Sequence, residues 1–170
     1  AKELGADFII TDHHQPKETL PSAVAVVNPN QGTCPSQLQH LCGTGVAFYL
    51  ILALRGKMKN LGLLTQSFDP KTLLDCFAIG TLTDMVPLVR ENRVLVQHGL
   101  LQLAKTDRIG LDRLMEALKL KGRVLTSSDV AIGLAPKLNA LGRMNSETQA
   151  LDLFLANDSQ GATEAVEATL

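Results

Sequence analysis

The sequence predicts an α/β chain in which a parallel sheet of few strands is followed by a mostly helical region. Three observations carry this. Two short apolar runs, "FIIT" and "AVAVV", lie near the N-terminus without polar alternation, the pattern of strands covered on both faces. A helix end precedes the first run, and a loop separates it from the second, so the order helix–strand–loop–strand favours parallel pairing. From about residue 43 onward the apolar residues take helical spacing.

The opening "AKELGAD" reads as the last turn of a helix, with Gly5 as its stop. Phe8–Thr11 is a buried, β-branched strand, and residues 12–22 form a loop marked by Pro16 and Pro21. Ala23–Val27 is a second buried strand, ended by "NPNQG". "GTGVAFYLILALRGK" is nearly all apolar and predicts a buried helix opened by two glycines. "PKTLLDCFAIGTLTD" places Pro70 in a first turn and ends in Asp84. In "ENRVLVQHGLLQLAK" a broad apolar face is expected from Val94, Val96, Leu100, Leu101 and Leu103. "GLDRLMEALKL" is amphipathic, with Asp112 and Glu116 one turn apart. "SSDVAIGLAPKLNALGRM" opens on a serine–aspartate cap signal and is interrupted by Pro136. "SETQALDLFLAND" starts with Ser146 as N-cap, and a last helix follows "NDSQG".

The composition is globular: 45% of the 170 residues are hydrophobic and 19% charged, enough for one domain with a core. Aromatics make up 4% and tryptophan is absent, which argues against nucleic-acid binding dominated by base stacking. Net charge is −1, but residues 84–145 carry ten basic and six acidic side chains. Such a segment either presents a basic groove to phosphates or is a solvated surface. Cys34, Cys42 and Cys76 have neither zinc-knuckle nor redox spacing, so reduced, buried thiols of a cytoplasmic protein are expected. No signal peptide stands at the start, and no apolar run reaches the roughly 18–20 residues that span a bilayer.

Three places carry chemistry. Asp12-His13-His14 follows the first strand directly, and strand C-terminal ends are where α/β sheets bind ligands. An acid and two imidazoles there supply a metal ligand, its orienter and a proton donor. They also suit a loop cap, with Asp12 holding backbone amides and the histidines merely polar. Asp84, before Met85, Val86 and Pro87, calls for a cation or metal if buried, and for water if it merely ends a helix. In "APKLNALGRMN", Gly142 permits close backbone approach and Arg143 either grips a phosphate or ends a helix at the surface.

Taken together, "TDHHQPKETLPSAVAVVNPNQ", "LCGTGVAFYLILAL", "AIGTLTDMVPLVRENRVLVQHGL" and "PKLNALGRM" closely resemble the DHH phosphoesterase superfamily, and within it the RecJ-type single-strand-specific exonucleases. The resemblance runs in order through essentially the whole chain. It implies the latter part of a parallel-sheet DHH domain over residues 1–145. Residues 146–170 would begin a helical connector to a C-terminal, DHHA1-like domain. It implies metal ligation by His13 and Asp84, with Asp12 and His14 completing the catalytic triplet. Arg143 would contact the scissile phosphate or one adjacent to it, in a substrate-binding turn shaped by Asn139 and Gly142. The implied reaction is hydrolysis of single-stranded DNA from its 5′ end to mononucleotides, in repair and recombination, with two Mn2+ or Mg2+ ions. Single-strand-binding protein and a helicase are the partners it suggests, with no membrane.

Other readings within reach are a phosphodiesterase of short oligoribonucleotides or cyclic dinucleotides, and a non-catalytic replication scaffold. The family's metal centre also draws aspartates from earlier motifs, and residues 1–11 do not supply them. The lack of a start methionine and the uncapped end at Leu170 add the expectation of a piece of a longer protein, catalytically inactive when isolated.

Overall fold

The computed structural model describes residues 2–66, 68–143 and 147–169, without the side chains of Lys2, residues 141–143, residues 147–149 and Ala168. A single 3₁₀ turn, Lys2–Leu4, ends at Gly5 with φ 67°, the left-handed stop read from the sequence. Strands β1 (Ile9–Thr11) and β2 (Ala25–Val27) pair in parallel, Ile10 opposite Val26. Flanking bonds from Val24 N–H to the Phe8 carbonyl and from Asp12 N–H to the Val27 carbonyl extend the ladder.

Both strands are shorter and more open than expected. Phe8, Ile9 and Val24 are 52%, 59% and 67% exposed. Apolar strand composition answers to layers on both faces. Among the described residues the sheet has two strands, and helix α1 is the helix that packs against β1.

Helix α1 (Gly43–Asn60) is capped by the Cys42 sulfur, which accepts from Gly45 N–H. It buries Gly45, Val46 and Phe48, whereas Leu54 and the basic residues of its last turns face out, so it is amphipathic by position and not a buried helix throughout. Asp69 caps the Pro70–Leu73 turn through Lys71 N–H and leads into α2 (Leu74–Thr83). Seven of the ten α2 residues are buried, which makes it the central helix, between α1 and α3 (Arg90–Leu103). The buried stripe of α3 is Asn92, Val96, Gly99 and Leu103, spaced by threes and fours. Val94 and Leu101 lie half a turn away from that stripe and are 53% and 59% exposed, contrary to the broad face expected.

Helix α4 (Ile109–Ala117) buries Leu111, Leu114 and Met115. Helical structure resumes after Thr126, which exchanges bonds with Asp129: Thr126 N–H and hydroxyl donate to the carboxylate, and Asp129 N–H donates to the Thr126 hydroxyl. The cap is therefore Thr126, with Asp129 as its reciprocal partner, and neither Ser127 nor Ser128. The stretch Asp129–Leu134 has wider π-helical turns, and Ala135 N–H reaches the Val130 carbonyl. These turns lead into α5 (Ala135–Arg143) and absorb Pro136 without ending the helix. Helices α6 (Glu147–Leu155) and α7 (Ser159–Thr169) pack on α4 and on each other. Asp158 accepts from Gly161 N–H, so α7 begins inside "NDSQG". The expected Ser146 cap lies outside the described residues.

The core runs through Phe77, Leu103, Leu111, Leu114, Met115, Val130, Leu134 and Leu153. Within it Asp75 accepts from Thr106 (2.8 Å), Arg108 (3.2 Å) and Cys76 N–H (2.7 Å), a buried carboxylate with every bond charge-assisted. Of the basic segment 84–145, Arg113, Lys121 and Arg123 pair with acids of the same segment, and Arg108 pairs with Asp75 outside it, so of these four only Arg108 draws on the excess charge. All three cysteines are free, but Cys42 alone is fully buried. Burial first, and then the charge of Asp75, push the Cys76 thiol up to about 11.

Candidate metal centre

Three local structures converge on Asp12-His13-His14. The triplet leaves β1 at its C-terminal end, where the Asp12–Val27 bond is the last rung of the ladder. Asp12 Oδ1 accepts from His13 N–H (2.7 Å), His14 N–H (3.1 Å) and His14 Nδ1 (2.8 Å). The bond from the His14 ring, and then the backbone N–H bonds of His14 and His13, lower its carboxyl to about 2. Asp12 is thus both the loop cap and the acceptor that orients an imidazole. With Nδ1 of His14 turned inward, its Nε2 is free to face a ligand. The two rings lie 4.2 Å apart between centroids, tilted by 46°.

The second structure is the junction of α1 and α2. The His13 ring lies over Gly43, 3.4 Å from where a β-carbon would stand. Thr44, next in α1, presses on Gly80 of α2 so closely that a β-carbon there would overlap its side chain. Cys42 Sγ also meets Thr81 Oγ1 at 3.6 Å. These close approaches bring the C-terminal end of α2 beside the histidine. Asp84, the C-cap of α2, points its Oδ2 to 3.6 Å from His13 Nδ1. Met85 then turns the chain away at φ 56°, a left-handed conformation uncommon outside glycine.

The third structure was not read from the sequence. Asn28 and Asn30, flanking Pro29 after β2, donate from their amides to the carbonyls of His14 (2.9 Å) and His13 (2.6 Å). Asn30 N–H donates to Asn28 Oδ1, and Gln31 Nε2 donates to the Val26 carbonyl. "NPNQG" ends the strand as expected, but it also clamps the peptides of both histidines. The local signal was the density of short amides; the partner lies on another loop.

The donor set fits a divalent cation. Ligand atoms of Asp12, His13 and His14 lie within 4.8 Å of one another. The His13–Asp84 separation of 3.6 Å is too long for a hydrogen bond and suits two donors flanking one ion. Imidazole and carboxylate together suit manganese or magnesium once phosphate oxygens complete the sphere. Asn139, on α5, is exposed. Gly142 and Arg143 end that helix, and the position of the Arg143 side chain lies outside the described residues.

Comparison with known proteins agrees with this geometry. Residues 1–81 match the DHH family, N-terminal domain. The chain is 43% identical over 166 residues to the single-stranded-DNA-specific exonuclease RecJ of Haemophilus influenzae, covering 96% of this chain and 29% of that protein. It is 42% identical over 167 residues to RecJ of Bacillus subtilis, covering 96% of this chain and 20% of that protein. The chain therefore spans less than a third of the length of these curated relatives. A crystal structure of exonuclease RecJ bound to manganese superposes with a TM-score of 0.83 at 35% identity, over 99% of this chain and 40% of that one. RecJ of Thermus thermophilus in complex with Mn2+ gives 0.82 at 35% identity, over 98% of this chain and 24% of that one. Residues 1–81 are thus similar to the N-terminal domain of the DHH family, and nearly the whole length of the chain aligns with one part of RecJ.

Proposed function

We propose that this chain forms part of the catalytic core of a metal-dependent exonuclease. The enzyme would hydrolyse single-stranded DNA from its 5′ end to mononucleotides, in repair and recombination. The observation that carries this is the convergence of Asp12-His13-His14 with Asp84, supported by relatives named as single-stranded-DNA-specific exonucleases and by structures solved with Mn2+ and Mg2+.

In this reading His13 Nδ1 and Asp84 Oδ2 hold a divalent cation, Mn2+ or Mg2+. When bound, such ions lower the pKa of water and offset charge on a phosphodiester. Asp12 fixes the His14 ring so that its outer nitrogen meets the phosphate or a cation. Arg143, carried over from the family resemblance, binds phosphate, with Asn139 and Gly142 shaping its turn. Single strands are exposed by helicases and coated by single-strand-binding protein, so this substrate implies those two partners and a cytoplasmic location. No helix among the described residues is long and apolar enough to cross a membrane.

The test is digestion of a 5′-labelled single strand with Mn2+ by the protein carrying this chain. Labelled mononucleotide should appear first, duplex should resist, and His13→Ala should abolish release. Arg143→Ala should lower turnover by about 10²-fold while Mn2+ occupancy holds. Preference for short oligoribonucleotides or cyclic dinucleotides, or digestion untouched by His13→Ala, would overturn the reading.

A further inference from the structure

Behind the His13–Asp84 pair, three segments distant in sequence are tied through two asparagine side chains. Asn30 Nδ2 donates to the His13 carbonyl and stands 3.5 Å from the Gln39 carbonyl. The next carbonyl, that of His40, accepts from Asn92 Nδ2 at 2.8 Å. The same nitrogen donates to the Pro87 carbonyl at 3.0 Å, in the turn that follows Asp84. Two carbonyls converging on one side-chain atom require an NH2 group, so the orientation of the Asn92 amide is dictated by its partners.

Asn92 is wholly buried, and its Oδ1 has no donor among the described residues. An apolar side chain of that size would avoid the cost of burying that oxygen. What the amide adds is its two donations, both to backbone that leads to the candidate ligands. The neighbouring residues of α3 reach the same strip less tightly. Arg90 Nη1 approaches Gln37 at 3.4 Å, and Glu91 Oε1 lies 3.2 Å from His40 Nε2, off line for a hydrogen bond.

We propose that Asn92, acting with Asn30, is a positioning residue that sets the separation of His13 and Asp84. Residues 39–40 are the shared anchor: Asn30 ties them to the His13 peptide, and Asn92 ties them to the turn after Asp84. The two ligand side chains make no hydrogen bond to each other, so the frame behind them holds the gap that a cation fills. This inference rests on His13 and Asp84 being metal ligands.

The test compares Asn92→Leu with Arg108→Ala in the protein carrying this chain. Arg108→Ala breaks the Asp75 pair and should lower stability without touching the frame. Both variants are melted, and Mn2+ affinity is measured by titration with an electron-spin-resonance readout. Asn92→Leu should weaken Mn2+ binding by about 10-fold or more, as loss of an outer support typically does. Arg108→Ala, with an equal or greater fall in Tm, should bind Mn2+ like the wild type. Unchanged affinity in Asn92→Leu, or an equal loss in Arg108→Ala, would overturn the positioning role. If Asn92→Leu does not fold, Asn30→Ala is read by the same criterion. His13→Ala serves as the reference: if it keeps Mn2+, the metal assignment itself fails; if it loses Mn2+ while Asn92→Leu does not, the frame alone fails.

Discussion

His13 Nδ1 faces Asp84 Oδ2 across 3.6 Å, with no hydrogen bond between them. The imidazole is largely buried, at 18% exposure, and the carboxylate is open to solvent at 42%. At this separation, and with the carboxylate open to water, the contact by itself contributes little to stability. Its placement is the work of the α1–α2 contact and of backbone clamps on either side, which points to a purpose other than mutual attraction.

His13→Ala and Asp84→Ala should each sharply reduce Mn2+ affinity, and the double variant should lose little more than either single one. Residues that serve one ion are non-additive. Calorimetric titration of the three variants checks this; additive losses would mean that the two side chains serve separate ions.

Asp12→Asn keeps an acceptor oxygen but removes the charge. Turnover should fall by about 10-fold, because the His14 ring loses its ionic acceptor. A pH effect accompanies it. The Asp12 carboxyl is lowered to about 2 by its bonds to His14 and His13, against an ordinary value of about 3.9. Its contribution to stability is present above that ordinary value and is lost as pH falls toward the lowered one. Thermal melts from pH 5 to about pH 2 should therefore be less steep in Asp12→Asn than in the wild type.

Arg108→Ala leaves the Asp75 carboxylate, 2% exposed, without its cation. Removing one partner of a buried pair costs about 3 kcal/mol or more. Urea titration should show a lower midpoint at an unchanged slope. A loss below about 1 kcal/mol would mean that Thr106 and Cys76 N–H suffice for the carboxylate.

Gly80→Ala should push α2 away from Thr44, because the new β-carbon would overlap both the hydroxyl and the β-carbon of that residue. Overpacking of this kind costs about 2 kcal/mol. Since Asp84 ends the same helix, Mn2+ affinity should fall along with Tm. A fall in Tm alone would show that Asp84 is placed independently of the α1–α2 contact.

Much of this chain is legible one segment at a time. The helices lie close to where apolar spacing, Pro70 and the cap residues put them, because those signals act within a turn or two. The parallel pairing of the two strands and the Asp-His-His triplet at the strand end follow from local composition and order. Other features depend on partners distant in sequence. Periodicity on α3 suggests one broad face, yet Val94 and Leu101 are exposed, because packing against a neighbouring helix selects the buried stripe. Apolar strands were expected to be buried, but burial needs covering layers that a strand's own residues do not specify. Asn28, Asn30 and Asn92 look like ordinary turn and helix-start residues until the carbonyls they hold are seen. Local sequence offered Asp12, His13, His14 and Asp84 as candidates for the chemistry and put most helices within a few residues of where they lie. Tertiary structure alone decided that His13 faces Asp84 and that asparagine amides frame the pair, because a hydrogen bond acts over about 3 Å in space and leaves no periodic trace along the chain.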